Sequence, residues 1–246
     1  MSVLRVSDLQ VRYRGFTLGP VDLVLERGDF ASLIGPNGSG KSTLIRAALG
    51  LEPGMASGTV EILGQPALRR PRQTFSRVSY VTDSPRDVLA EFTAREYWDY
   101  CRIAFESARG EPIEGWDERA DVYAAMLDFP ADQRRPISAL SLGTARKAQI
   151  IAALLPAPDL VVLDEPFIGL DFIASRAFEA LLLQLKQSQV SVLASSHDLD
   201  LAARVANRIL VLREGRLLLD EQVSALTGGV EEAVICALAS ARTASS

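Results

Sequence analysis

A glycine-rich loop between an apolar run and a helical pattern constrains this chain more than any other feature. The run ASLI at residues 31–34 predicts a short buried strand, and STLIRAALGL at residues 42–51 places apolar residues at helical spacing. Between them lies GPNGSGKS, whose glycines let successive backbone N–H groups turn inward around phosphate oxygens. The N-terminus of the following helix adds a favourable dipole. This order predicts a loop that binds the phosphates of a nucleotide.

The residues of this loop are expected to act in different ways. Lys41 would bring a positive charge close to the β and γ phosphates, and Ser42 would offer its hydroxyl to Mg²⁺. The predicted nucleotide-binding positions in the loop are Gly35, Pro36, Asn37, Gly38, Ser39, Gly40, Lys41, Ser42 and Thr43. An ordinary glycine-rich turn is the alternative, and the strand before and helix after argue against it.

A second motif, LVVLDEP at residues 160–166, supplies carboxylates. Its apolar run predicts a buried central strand, and Asp164 at the C-terminal end of that strand would face the metal. Glu165 follows directly and is placed to polarise water as a general base. The alternative interpretation is a pair of solvated acids at a strand end.

The composition is that of a folded globular protein, with 48% apolar and 23% charged residues among 246. A net charge of -5 argues against a general nucleic-acid-binding protein, which needs a basic surface. Cys101 and Cys236 lack CxxC spacing, so we expect two free thiols. No secretory signal is evident, and no uncharged apolar stretch approaches the about 18 residues of a membrane helix. We therefore expect an intracellular chain without a membrane span.

The pattern of elements predicts an α/β domain with a mostly parallel sheet. Strand-like segments open the chain, helical patterns dominate residues 85–142, and strands and helices then alternate. We expect one domain over residues 1–246, divided into an α/β catalytic core with a β-rich N-terminal edge (1–82 and 144–222), an inserted helical subdomain (83–143), and a C-terminal helix and tail (223–246). The small-residue run at 239–246 is expected to be frayed.

Together these motifs resemble the ATP-binding subunit of an ABC transporter, over residues 13–220. The resemblance implies the P-loop NTPase fold of that family, with ATP and Mg²⁺ as cofactors. LSLGT at residues 140–144 stands where the family carries its signature, usually LSGGQ, with Leu142 and Thr144 as departures. In the family this signature closes over the nucleotide of a second subunit. By that resemblance, Ser141 would donate a hydroxyl and Gly143 would let backbone amides approach the γ-phosphate.

The resemblance implies further roles. His197, the only histidine, matches the family's switch histidine and would act with Glu165 and Lys41 in catalysis, although a lone histidine is usually structural. Asp171 resembles the residue that lies along the interface between two subunits. Tyr13 would stack on adenine, with Phe16 as the alternative and a core or edge-strand tyrosine as the non-functional interpretation.

One departure concerns the magnesium site. After the predicted strand RVSYV the family usually has a glutamine, and this chain has Asp83. A carboxylate still coordinates Mg²⁺, so Asp83 joins Ser42 and Asp164 as a predicted metal ligand. The alternative is that Asp83 only caps the following turn.

The resemblance therefore implies an ATPase that powers transport through separate transmembrane permease subunits and pairs with a second ATP-binding subunit, identical or different. Residues 83–100 are the predicted contact for the membrane subunit, which would place the chain on the cytoplasmic face of the cell membrane. The LSLGT variant and the short C-terminal region favour export. The alternative function is an ABC-type ATPase that acts on a protein assembly, such as an iron–sulfur assembly factor; nucleic acid is not an expected partner.

Overall fold

The computed structural model describes residues 1–52, 56–69, 71–85, 90–130 and 134–243. The strands are β1 (Ser2–Tyr13), β2 (Phe16–Glu26), β3 (Phe30–Ile34), β4 (Ala56–Ile62), β5 (Gln65–Pro66), β6 (Val78–Val81), β7 (Leu160–Leu163), β8 (Ser191–Ser196), β9 (Arg208–Arg213) and β10 (Arg216–Gln222). The helices are α1 (Lys41–Ala48), α2 (Arg72–Phe75), α3 (Ala94–Arg109), α4 (Trp116–Met126), α5 (Leu142–Leu154), α6 (Phe172–Gln187), α7 (Leu199–Val205) and α8 (Gly229–Thr243).

The N-terminal strands form an antiparallel sheet in the order β2-β1-β4-β5. β1 and β2 are joined by a two-residue turn in which Gly15 adopts φ 85°, the left-handed region that glycine enters without strain. Inward-facing apolar residues of this sheet pack with α1 and one face of the larger sheet. The predicted β-rich start is therefore present.

The larger sheet has the order β10-β9-β3-β8-β7-β6. Its strands pair in parallel except β10, which is antiparallel to β9. The carboxyl ends of parallel strands meet at one edge, so the segments after β3, β6, β7 and β8 lie together there. This arrangement confirms the predicted α/β fold class. β10 was not predicted, because RLLLDEQ gives only a short apolar run among charges.

α3 and α4 follow β6 and pack onto the core through α5, where Trp98 Nε1 donates a hydrogen bond to Ala148 O at 2.9 Å. The sequence predicted mostly helical structure over residues 85–142, and within the described part of that range the first helix, α3, begins at Ala94. Thr93 caps it: its hydroxyl accepts from Glu96 N, and the Glu96 carboxylate accepts from Thr93 N. The boundaries at residues 83 and 143 stay a prediction.

The C-terminal helix α8 runs to Thr243, so the expected fraying from residue 239 was wrong for residues 239–243. The last part of that run, residues 244–246, lies outside the described residues. Within the described ranges, none of the helices combines the length and the apolar character that crossing a lipid bilayer requires.

Candidate active site

The glycine loop lies where the sequence predicts it, between the end of β3 at Ile34 and the start of α1 at Lys41. Gly40 has φ 104°, and a Cβ there would lie 2.7 Å from Phe16 Cζ, so both the backbone and the neighbouring ring require glycine. The Lys41 side chain is buried, and its Nζ donates a hydrogen bond to Gly35 O at 2.9 Å. The loop thus holds an ammonium group among its own backbone atoms.

Asp164 is fully buried directly after β7. Its Oδ1 accepts a hydrogen bond from Ser195 Oγ at 2.6 Å, and Ser195 Oγ in turn accepts from Glu165 N at 2.8 Å. One hydroxyl on β8 therefore orients both predicted acids. The pKa of the nearby Tyr80 is raised to about 12, mainly by burial and to a smaller extent by the charge of Asp164. The Tyr80 hydroxyl therefore stays protonated.

Ser195 was missed by the sequence analysis. A signal was available, because a serine inside the buried run VLAS must find a hydrogen-bond partner. Its partners lie on a neighbouring strand, which the sequence alone does not identify.

The Glu165 carboxylate lies between the side chains of Lys41 and His197. Oε1 is 3.4 Å from Lys41 Nζ, and Oε2 is 3.1 Å from His197 Nδ1. Glu165 also has φ 47°, an uncommon backbone conformation for a residue with a side chain. The His197 ring is mostly exposed. The three predicted catalytic residues are therefore linked through Glu165, which contacts both Lys41 and His197.

A cavity of about 450 Å³ lies beside the phosphate loop. Its lining includes predicted phosphate and metal residues, together with two apolar side chains: Phe16, Asn37, Gly38, Gly40, Lys41, Ser42, Thr43, Asp83, Glu165 and Ile168. A second cavity, of about 720 Å³, borders the other side of the loop at residues 35–39 and is lined by His197 and residues of α8. Asp83, two residues after β6, therefore lines the same cavity as the phosphate loop.

The predicted residues Ser141, Gly143 and Asp171 form a separate cluster. Ser141 caps α5 and accepts from Thr144 N, whereas Asp171 caps α6 and accepts from Ala174 N at 2.8 Å. That hydrogen bond lowers the pKa of Asp171. A Cβ on Gly143 would meet the carbonyl of Gly169, so the two helix starts are in close contact. None of the three lines the cavity beside the phosphate loop.

Residues 18–168, more than half of the chain, match the ABC transporter family. The chain belongs to this family. It is accordingly an ATPase of the ABC class, and its α/β fold agrees with that of the solved cassettes. The structure of an ATP-binding subunit of an ABC transporter has a TM-score of 0.84 and 27% identity, covering 96% of this chain and 99% of that one.

Relatives of this ABC ATPase bear names that indicate both directions of transport. An aliphatic sulfonates import ATP-binding protein of Frankia alni is 35% identical, covering 84% of this chain and 74% of that protein. A Nod factor export ATP-binding protein of Sinorhizobium fredii is 32% identical, covering 88% of this chain and 60% of that protein.

The two aromatic candidates of this ABC ATPase lie in different places. Phe16 lines the cavity beside the phosphate loop and lies against Gly40. Tyr13, its partner across the β1–β2 turn, instead interacts through its hydroxyl with Arg46 and Glu52. Of the two, Phe16 lines this cavity, and the stacking of Tyr13 on adenine stays a prediction.

The donor atoms of the ABC ATPase site fit Mg²⁺. Asp164 Oδ2 is buried, and no hydrogen-bond partner for it is found in the described part of the chain. A buried carboxylate oxygen with no partner is costly unless a cation or solvent satisfies it. Ser42 and Asp83 line the adjoining cavity and add the hard oxygen donors that Mg²⁺ prefers.

Proposed function

We propose that this ABC ATPase hydrolyses Mg-ATP to drive transport through separate membrane subunits, in a pair with a second ATP-binding subunit. The observation that carries this proposal is the Glu165 carboxylate, which lies beside Lys41 and His197 on the cavity of the phosphate loop. A carboxylate so placed accepts a proton from the water that attacks the γ-phosphorus. The bond from phosphorus to the bridging oxygen breaks, and ADP and phosphate leave.

The other side chains hold the reactants. Backbone N–H groups of the loop and Lys41 bind the β and γ phosphates, and His197 donates to a γ-phosphate oxygen. Ser195 keeps Asp164 and the Glu165 backbone in place. Ser42, Asp164 and Asp83 would hold Mg²⁺, which would neutralise part of the phosphate charge. Phe16 packs on the adenine ring.

The partner subunit is supported by the second cluster. Ser141 and Gly143 lie at a helix N-terminus, the feature that binds anions, and Gly143 packs against the Gly169 carbonyl. Neither residue lines the cavity beside the phosphate loop of its own chain. We infer that they complete the nucleotide site of another copy or of a sister subunit, with Asp171 at the contact.

The membrane partner is proposed to contact residues 83–100, of which residues 86–89 lie outside the described residues. Exposed apolar side chains lie within and just after residues 83–100: Phe92 and Tyr100 are in ring contact at 6.2 Å, and Ile103 follows in α3. Such a patch suits a helix of a membrane subunit. The chain would then work at the cytoplasmic face of the membrane. The relatives are named for both import and export, so export stays a prediction.

Glu165→Gln tests the chemistry. Loss of the general base should lower ATP turnover by about 100- to 10,000-fold, while ATP binding is retained. Steady-state phosphate release measures the first effect, and equilibrium binding of a fluorescent ATP analogue measures the second. Full turnover in the variant would remove Glu165 as the base.

A further inference from the structure

Arg146, in the second turn of α5, is a fully buried arginine beside the end of β6. Its guanidinium donates hydrogen bonds to the main-chain carbonyls of Thr82 and Asp83, the latter at 2.8 Å, and to Gln149 Oε1 at 2.9 Å. Gln149 Nε2 donates to Thr82 Oγ1 at 3.0 Å. Two adjacent side chains of α5 therefore hold the segment that carries Asp83.

Arg146 makes hydrogen bonds to uncharged groups although its charged side chain is fully buried. Its three acceptors are neutral oxygens, and its buried Nε has no hydrogen-bond partner among the described residues. Burial lowers the pKa of Arg146, and the charges of Asp83, Asp164 and Glu165 oppose that shift. The positive charge is therefore balanced at a distance by the carboxylates of the site.

We propose that Arg146 is a positioning residue for Asp83. By holding the two carbonyls after β6, it keeps the Asp83 carboxylate on the cavity that Ser42 also lines, where Asp83 contributes to divalent-ion binding. The inference rests on the proposed function only in placing that ion beside Asp83 and Asp164. Helix α5 begins at the cap Ser141, which is proposed to face the second subunit. Through Arg146, the same helix would also position Asp83 in the site of its own chain.

The test is the affinity of the purified full-length chain for Mn²⁺ in the presence of ADP, measured by electron paramagnetic resonance. Arg146→Gln should weaken Mn²⁺ binding by about tenfold, as expected for loss of a group that orients a metal ligand. Asp83→Asn should weaken it as well. The double variant should bind Mn²⁺ no more weakly than Asp83→Asn alone, because Arg146 acts through Asp83. Additive losses would overturn the proposal.

Arg109→Gln is the matched control. Arg109 donates to the carbonyls of Ser76, at 2.9 Å, and Pro156, at 2.6 Å, so it holds the chain before β6 as Arg146 holds the chain after it. This control should keep the Mn²⁺ affinity of the unmodified chain. An equal loss in Arg109→Gln would show that general loosening of β6 is the cause, and would contradict the proposal.

Arg146→Lys keeps the charge and decides the question if Arg146→Gln does not fold. A lysine cannot span both carbonyls with a planar fork, so Mn²⁺ binding should weaken, and the loss should vanish in the Asp83→Asn background. A loss that persists in that background would refute the role. Because Mn²⁺ binding is measured without turnover, a wild-type chain that fails to hydrolyse ATP would overturn the proposed function alone.

Discussion

At the level of single residues, the site depends on a serine that orients two acids at once. Ser195 Oγ donates to the buried Asp164 carboxylate and accepts from the backbone N–H of Glu165. Both bonds are short, and both acids are proposed to act on the bound nucleotide. The left-handed backbone of Glu165 is held in part by the second bond.

Ser195→Ala should therefore lower ATP turnover by about 10- to 100-fold, as expected when a group that orients a metal ligand is lost. It should also reduce the free energy of unfolding by about 1–3 kcal/mol, because the Glu165 N–H loses its partner. Phosphate release and urea unfolding measure the two effects.

Ser191→Ala is the matched control for that prediction. Ser191 lies at the other end of β8, where its Oγ accepts from Gly28 N at 3.0 Å and donates to Glu26 O at 3.3 Å. It should lose comparable stability and keep its turnover. Equal loss of turnover in both variants would mean that strand β8, and not the orientation of the acids, limits the reaction.

The aromatic side chain proposed to stack on the base gives a second prediction at this level. Phe16→Ala should weaken ATP binding markedly, since stacking of a base on an aromatic ring contributes about 1–3 kcal/mol. Tyr13→Ala, across the same turn, should leave ATP affinity unchanged. Titration of both variants with a fluorescent ATP analogue compares them, and the reverse result would restore Tyr13 as the stacking residue.

At the level of elements, α5 and α6 begin side by side. Leu142 in the first turn of α5 lies over Gly169, which precedes α6, and a Cβ on Gly169 would lie 2.7 Å from Leu142 Cγ. Lys147 Nζ is 3.8 Å from Asp171 Oδ2, so a charge pair adds to the contact. The two helix starts therefore form one surface, which is the proposed contact with a second subunit.

Gly169→Ala should separate these helix starts and weaken ATP-dependent pairing. Gly110→Ala is matched for backbone strain, since Gly169 has φ 88° and Gly110 has φ 79°, but no atom lies near a Cβ at Gly110. Each variant should lose about 1–2 kcal/mol of stability from the left-handed backbone. Size-exclusion chromatography with ATP, in the Glu165→Gln background, should show reduced pairing for Gly169→Ala only. Equal pairing in both would argue against this surface.

At the level of the whole molecule, the chain is expected to work on a membrane subunit. A tagged chain expressed in its native cell should co-purify with an integral membrane protein in stoichiometric amount after extraction in mild detergent. Tyr100→Glu, in the exposed patch on α3, should reduce that recovery without lowering ATP binding. Recovery from the soluble fraction alone would favour the alternative, an ABC-type ATPase that acts on a protein assembly.

The sequence predicted those parts of the molecule whose signals are local. The loop at residues 35–42 and the acids after LVVL are contiguous motifs, and the alternation of elements indicated the parallel sheet. Ser195 and Arg146 were missed because their partners lie 31 and 63 residues away in sequence and meet only across strands or between a helix and a strand end. Tyr13 and Phe16 flank one turn, and they differ only in their contacts in the folded chain: Tyr13 interacts with Arg46 and Glu52, whereas Phe16 lies against Gly40.

The position of Lys41 has a consequence for the order of events. In this structure its ammonium faces Glu165 and the Gly35 carbonyl, so an arriving phosphate must compete with Glu165 for the same cation. When the ammonium turns toward phosphate, the Glu165 carboxylate loses this contact, and that oxygen becomes available to accept a hydrogen bond from water. Binding of ATP would thereby release Glu165 to hold the attacking water, whereas in the chain without nucleotide Lys41 holds the Glu165 carboxylate.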